Sequence, residues 1–254
     1  MNSDERAGPA LRPVVTVPVA STAVVLPGTG SDAIFADRAF SGPLRRRGIR
    51  TIPVEPDPRG VVAGYLDAMD RAASAEPILV GGVSIGAAVA LQWAAANPGR
   101  VSGVLAALPA WTGDPAHAPA AASARWTAAQ LREHGLDAVT ATMVASSPAW
   151  LGVELSRSWA SQWPDLPLAL DEASTYSGLD VTVLRAVAVP VGITGAIDDA
   201  VHPIEVARRW ASELACAHLS TVSLADVGTD PAVLGDGCLD ALARAAGPRH
   251  LRTP

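Results

Sequence analysis

A serine can attack a carbonyl carbon when a tight turn exposes its hydroxyl and a neighbouring base takes its proton. Residues 78–95, ILVGGVSIGAAVALQWAA, offer such a serine. Ser84 stands in Gly82-Val83-Ser84-Ile85-Gly86, between an apolar run and a helix-forming stretch. In a G-x-S-x-G turn that joins a buried strand to a helix, the serine backbone is strained. The flanking glycines leave room where side chains would clash. Ser84 would then lie at the C-terminal end of a strand, where α/β sheets bind ligands. The helix that begins there aims free N–H groups at negative charge. The five-residue pattern recurs by chance, so the strand before it and the helix after it carry the argument. The alternative is a Gly-rich turn with an incidental serine.

Acyl transfer also needs donors for the oxyanion, one after the nucleophile and one after an earlier strand. That earlier strand is TAVVLP at 22–27, and its loop is Pro27-Gly28-Thr29-Gly30-Ser31-Asp32. The N–H groups of Thr29 and Ile85 are the candidates. A phosphate loop at Gly28 and Gly30 is the rival. No Gly-Lys-Ser/Thr follows, and the G-x-G-x-x-G spacing fails at Ala33.

Positioning these groups requires alternating strands and helices. VVTVPV (14–19), TAVVLP (22–27), RTIPVEP (50–56), PILVGGV (77–83) and VSGVLAALPA (101–110) read as strands. Helices are expected over 32–47 with Ser31 as N-cap, over 61–75 and over 85–96. Residues 111–185 are helix-like and rich in Ala and Trp, with no clear strand. The alternation resumes with a strand at 189–196, a helix at 203–214, a strand at 218–225 and a helix at 231–246. This order predicts an α/β fold: a mostly parallel sheet with helices on both faces. The core would comprise residues 1–110 and 186–254, and 111–185 would be a helical cap inserted over one edge.

The motifs LPGTG at 26–30, GVSIG at 82–86 and PVGITGAIDDAVHP at 190–203 resemble those of the α/β-hydrolase superfamily. The resemblance runs from about residue 14 to 246. It implies a catalytic acid in the loop after the strand at 189–196, four residues before a proline. Asp199 stands there, with Asp198 second; the other role for either carboxylate is to cap the helix that starts near Pro203. It also implies a Gly-His pair after the following strand. Here Asp226-Val227-Gly228-Thr229-Asp230 occupies that place, and Thr229 stands where the histidine is expected.

Five histidines could supply the base. His218 starts a strand, at the wrong end of the sheet. His250 lies four residues from the C-terminus, and His134 reads as a helix-end residue. His117 follows a strand at the correct end, in a Pro/Ala loop. His202 shares the loop of Asp199, so it is the candidate base; its other reading is a loop residue beside Pro203.

Five of the seven Trp fall between residues 111 and 163, in a chain with two Phe and two Tyr. Trp111 follows a strand directly and is the candidate for the pocket wall. Most of the others are expected to glue cap helices to the core.

Composition bounds the rest. Of 254 residues, 49% are hydrophobic and 17% charged, enough apolar material for one sizeable core. A net charge of −6 argues against a nucleic-acid partner. Cys216 and Cys238 are too far apart for a metal cluster or a disulfide framework. The N-terminus lacks a signal-like apolar run, and no apolar stretch reaches membrane-span length. The expectation is a cytoplasmic hydrolase of a carboxylic ester or thioester, with a small-molecule substrate, no metal and no cofactor. The alternative is a degenerate relative that binds an apolar ligand without hydrolysis. The test between them is whether a histidine nitrogen reaches Ser84 Oγ.

Overall fold

Strands that are apolar at every position need cover on both faces, and the sheet has it. The computed structural model describes residues 20–247. The strand expected over 14–19 and His250 lie outside the described residues. In chain order the first elements are β1 (Thr22–Leu26), α1 (Ala33–Arg45), β2 (Arg50–Pro53), α2 (Val61–Ala72), β3 (Ile78–Val83), α3 (Ile85–Ala96) and β4 (Val101–Ala107). Four helices follow: α4 (Pro119–Ser146), α5 (Ala149–Gln162), α6 (Leu166–Thr175) and α7 (Val181–Ala186). The chain then returns to the sheet with β5 (Val191–Ala196), α8 (Ile204–Glu213), β6 (Ala217–Val222), α9 (Leu224–Thr229) and α10 (Ala232–Ala246).

All six strands are parallel, in the order β2-β1-β3-β4-β5-β6. Alternation along β1 divides its side chains between two cores. Val24 and Leu26 join Tyr65, Val80 and Trp93 on one face, while Ala23 and Val25 join Phe40, Leu105 and Leu234 on the other. The chain leaves β1 toward β2 and later passes to β3 on the opposite side. The C-terminal ends of β1 and β3 therefore flank the switch point, where such sheets form their ligand crevice. The loop of Gly28 follows β1, and Ser84 follows β3.

Several local expectations change. Asp32, not Ser31, caps α1, its carboxylate accepting from Phe35 N–H at 3.0 Å. Ser31 is committed elsewhere, its N–H closing a turn onto the Gly28 carbonyl. β4 ends at Ala107 because Leu108 takes a positive φ of 48° and Pro109 follows. β6 ends at Val222 because Ser223 and Asp226 form a capping box that starts α9, a helix the sequence reading took for strand and loop. α8 begins after Pro203 with no side-chain cap, so neither Asp198 nor Asp199 caps it.

α4 to α7 interrupt the alternation between β4 and β5. α4 is broken at Gly135, whose φ of 76° lies outside the helical region. Its two halves pack with α5 and α6 around a small core of their own, including Leu131, Trp159, Leu166 and Leu170. Among the described residues no helix is long and apolar enough to cross a membrane.

Candidate active site

The turn after β3 is set by close packing. A Cβ on Gly82 would lie 2.4 Å from the Leu26 carbonyl oxygen, and one on Gly86 would lie 2.4 Å from the same atom. Only glycine permits β1, β3 and α3 to approach this closely. Ser84 then takes φ 55° and ψ −115°, a conformation costing about 1–3 kcal/mol that the surrounding packing sustains. The strain raises its hydroxyl from the end of the sheet into a cavity. Ser84 N–H is held by the Ala107 carbonyl at 3.0 Å, which ties the turn to β4.

The loop after β5 brings two more groups. Asp199 Oδ1 accepts from the N–H groups of Val201 at 2.8 Å and His202 at 3.1 Å, folding the loop back on itself. Asp199 Oδ2 lies 2.8 Å from His202 Nδ1, and His202 Nε2 lies 3.0 Å from Ser84 Oγ. With Nδ1–H donating to the carboxylate, Nε2 is left to accept from the serine hydroxyl. Burial pushes the Asp199 carboxyl up. The hydrogen bond and charge of His202, with the two N–H groups, outweigh this and hold it below the usual carboxylate range. Asp198 points elsewhere, accepting from Leu224 N–H at 2.8 Å.

The other histidines lie apart. His117 and His218 are exposed, and neither lines the cavity. His134, beside the break at Gly135, sits 3.8 Å from Glu133. Thr229 ends α9 with its hydroxyl on the Ala225 carbonyl at 2.9 Å, and it does not line the cavity.

Thr29 lies in the turn closed by Ser31 N–H on Gly28 O at 3.1 Å. Gly30 takes φ 69° at the third position of that turn, where a positive φ favours glycine. A Cβ on Gly28 would lie 3.4 Å from Ser84 Cβ, so this loop runs against the serine. The N–H groups of Thr29 and Ile85 have no acceptor among the described residues. The second is also a free first-turn donor of α3.

A cavity of about 570 Å³ opens over Ser84 and His202. Its core side is made by Thr29, Leu108, Val201 and Leu224, its other side by α4, α5 and α6. Trp111 lines it, with Nε1 donating to the Tyr176 carbonyl at 2.9 Å. Trp126, Trp150 and Trp159 line it too, so the expectation that most of the other tryptophans serve as glue is corrected. Trp163 alone of the five does not. The reason is that helices crossing over a sheet end must turn apolar faces both to one another and to the gap below. Glu154 also lines the cavity and was not anticipated; it is buried and paired with Arg157 and Arg38. Among the described residues no three His, Cys, Asp or Glu side chains gather as a metal site.

No protein-family model matches the chain. No curated protein matches its sequence. Solved structures do match. A protein of Mycobacterium tuberculosis H37Rv named as a non-heme bromoperoxidase superposes with a TM-score of 0.66 at 20% identity, over 89% of this chain and 93% of that one. A hydrolase from Oleispira antarctica gives 0.64 at 16% identity, over 82% and 84%. The enol-lactonase of Burkholderia xenovorans LB400 gives 0.63 at 16% identity, over 82% and 84%. At such identities the likeness establishes the architecture: the chain has the α/β-hydrolase fold.

Proposed function

We propose that the protein is a serine hydrolase of uncharged carboxylic esters or thioesters, with Ser84 as nucleophile, His202 as base and Asp199 as its orienting acid. The observation that carries this is the His202 imidazole, which spans Asp199 Oδ2 at 2.8 Å and Ser84 Oγ at 3.0 Å. In this reading Ser84 Oγ attacks the carbonyl carbon as its proton passes to His202 Nε2. The Asp199 carboxylate stabilises the resulting imidazolium and keeps Nδ1 protonated. The N–H groups of Thr29 and Ile85 receive the developing oxyanion. Nε2–H then protonates the leaving alcohol or thiol, and a water repeats the sequence on the acyl-enzyme. Helices α4 to α6 act as a cap that keeps the acyl group dry.

Four tryptophans and several aliphatic side chains in the wall support an apolar substrate. Among the described residues the lining has no Arg but includes the acidic residues Glu154, Asp198 and Asp199, which disfavours anions. Lactones belong in the assay because one protein of this fold is an enol-lactonase. The alternative, a ligand binder without chemistry, is disfavoured by the base that reaches Ser84. A fluorophosphonate probe should label the wild type and not Ser84→Ala, and 4-nitrophenyl esters should be turned over by the wild type alone. Equal inertness of both proteins across ester lengths and lactones would make the protein a binder.

A further inference from the structure

The loop that carries Thr29 is gripped at every residue around it. Pro27 O accepts from Tyr65 Oη at 3.0 Å. Tyr65 stays a neutral donor because burial, then the charges of Glu55 and Glu172, push its phenol well up. Gly28 O takes the turn bond from Ser31 N–H. Residues 30–32 are held by α5. Ser158 Oγ donates to Gly30 O at 2.6 Å, and Gln162 Nε2 donates to Ser31 O at 2.9 Å. Arg157 forks onto Asp32 through Nε at 3.0 Å and Nη2 at 2.8 Å. Between them Trp159 blocks the space beside Gly30, where a Cβ would meet its Nε1 at 2.9 Å. Thr29 is left in the middle with its N–H free.

This pattern is more than attachment of an insertion to a core. α5 also pairs Glu154 with Arg38 of α1, yet three of its side chains converge on three successive residues beside one unpaired donor. An oxyanion donor stabilises a transition state only if it is held before charge develops, since reorganising it during reaction cancels the gain. We propose that Ser158 and Gln162 are positioning residues, which act through the backbone of Gly30 and Ser31 to hold the Thr29 N–H for the oxyanion. The proposal rests on the hydrolase reading of Ser84. It assigns α5 two tasks, since the same helix lines the cavity with Trp150, Leu151, Leu155 and Trp159.

The test compares the wild type with Ser158→Ala, Gln162→Met and the double variant. Four readouts are taken: kcat, KM for a 4-nitrophenyl ester, inhibition by phenylboronic acid, and melting temperature. Boronic acid forms an anionic tetrahedral adduct on serine and so reports the oxyanion site separately from ground-state binding. The double variant should lose kcat by roughly 10- to 100-fold, somewhat less than deletion of an oxyanion donor, with KM nearly unchanged. Boronate affinity should fall by a similar factor. If the double variant is too unstable to assay, Gln162→Met alone should show the same split more weakly. Unchanged kcat with a lower melting temperature would reduce the contacts to simple bracing and overturn the proposal. So would a rise in KM alone. A wild type that hydrolyses esters while the variants do so equally well sinks this inference and leaves the hydrolase reading standing. A wild type inert toward every ester sinks both.

Discussion

His202 reaches Ser84 from the loop that also carries Asp199, three residues earlier in the chain. The proposed acid and base are thus one local unit. Asp199 uses one oxygen to fold the loop and the other to orient the ring. His202→Ala should lower kcat by about 10⁴- to 10⁶-fold while the fold survives, since the side chain closes no core. Asp199→Asn should cost about 10⁴-fold, because an amide can donate to Nδ1 and so favour the wrong tautomer. Steady-state kinetics on a 4-nitrophenyl ester decide it. Full activity in His202→Ala would remove the imidazole from the mechanism.

The same pair has a stability signature with a definite sign. The folded Asp199 carboxyl titrates below its ordinary value, so its contribution is present above the unfolded value, about 3.9, and is lost as pH falls toward the folded one. Wild type should lose more melting temperature than Asp199→Asn between about pH 5 and about pH 3. Parallel melting curves for the two proteins would mean that the pair contributes nothing to folding.

The sequence reading expects a histidine where Thr229 stands, yet Thr229→His should give no gain in esterase activity. The residue closes α9 with its hydroxyl on the Ala225 carbonyl, away from the cavity, and Ser84 Oγ is already served by His202. A clear gain in kcat from this substitution would mean that the His202 contact is unproductive and the base position vacant.

The alternation of strands and helices and the turn at Ser84 were legible because they rest on local signals. Apolar runs such as ILVGGV and the glycines around Ser84 encode a strand and its turn within a few residues. Asp199 and His202 were legible as candidates because both lie in one short loop, but the choice between Asp198 and Asp199 needed the hydrogen bonds. α9 was missed because its six residues follow β6 without a break, and its capping box uses Asp at a place where Glu or Gln is the usual signal. The grip of Arg157, Ser158 and Gln162 on residues 30–32 spans about 125 to 131 positions of chain. No periodicity marks such a contact. The tryptophans of the insertion were visible as a cluster, but which of them face the cavity depends on helix packing.

Gly86→Ala should destabilise the protein by about 3 kcal/mol and abolish activity in whatever remains folded. A Cβ there would sit 2.4 Å from Leu26 O and 2.7 Å from Pro27 O, both backbone atoms that cannot rotate away. Relief requires β1 and α3 to separate, which also moves Ser84 and the loop of Thr29. Denaturant unfolding of the variant checks the first part and fluorophosphonate labelling the second. An Ala variant as stable and as reactive as the wild type would show that this packing does not set the turn.

The charge of the preferred substrate follows from the cavity lining. Glu154, Asp198 and Asp199 are among the lining residues, and no Arg of the described chain lines the space. Glu154 is partly neutralised by Arg38 and Arg157, but both guanidinium groups are spent on carboxylates and neither residue lines the cavity. An ester bearing a carboxylate in its acyl part would therefore lose hydration without finding a cation. In an apolar pocket that penalty is several kcal/mol before relaxation. The 4-nitrophenyl ester of butyric acid should exceed the mono-4-nitrophenyl ester of succinic acid in kcat/KM by at least about 100-fold, a difference of about 2.7 kcal/mol. The two acyl chains have the same number of carbons, so length does not confound the comparison. Glu154→Gln should narrow the ratio by easing repulsion, chiefly through KM. Equal kcat/KM for the two esters in the wild type would mean that anions find a partner in this cavity and that its apolar wall does not set specificity.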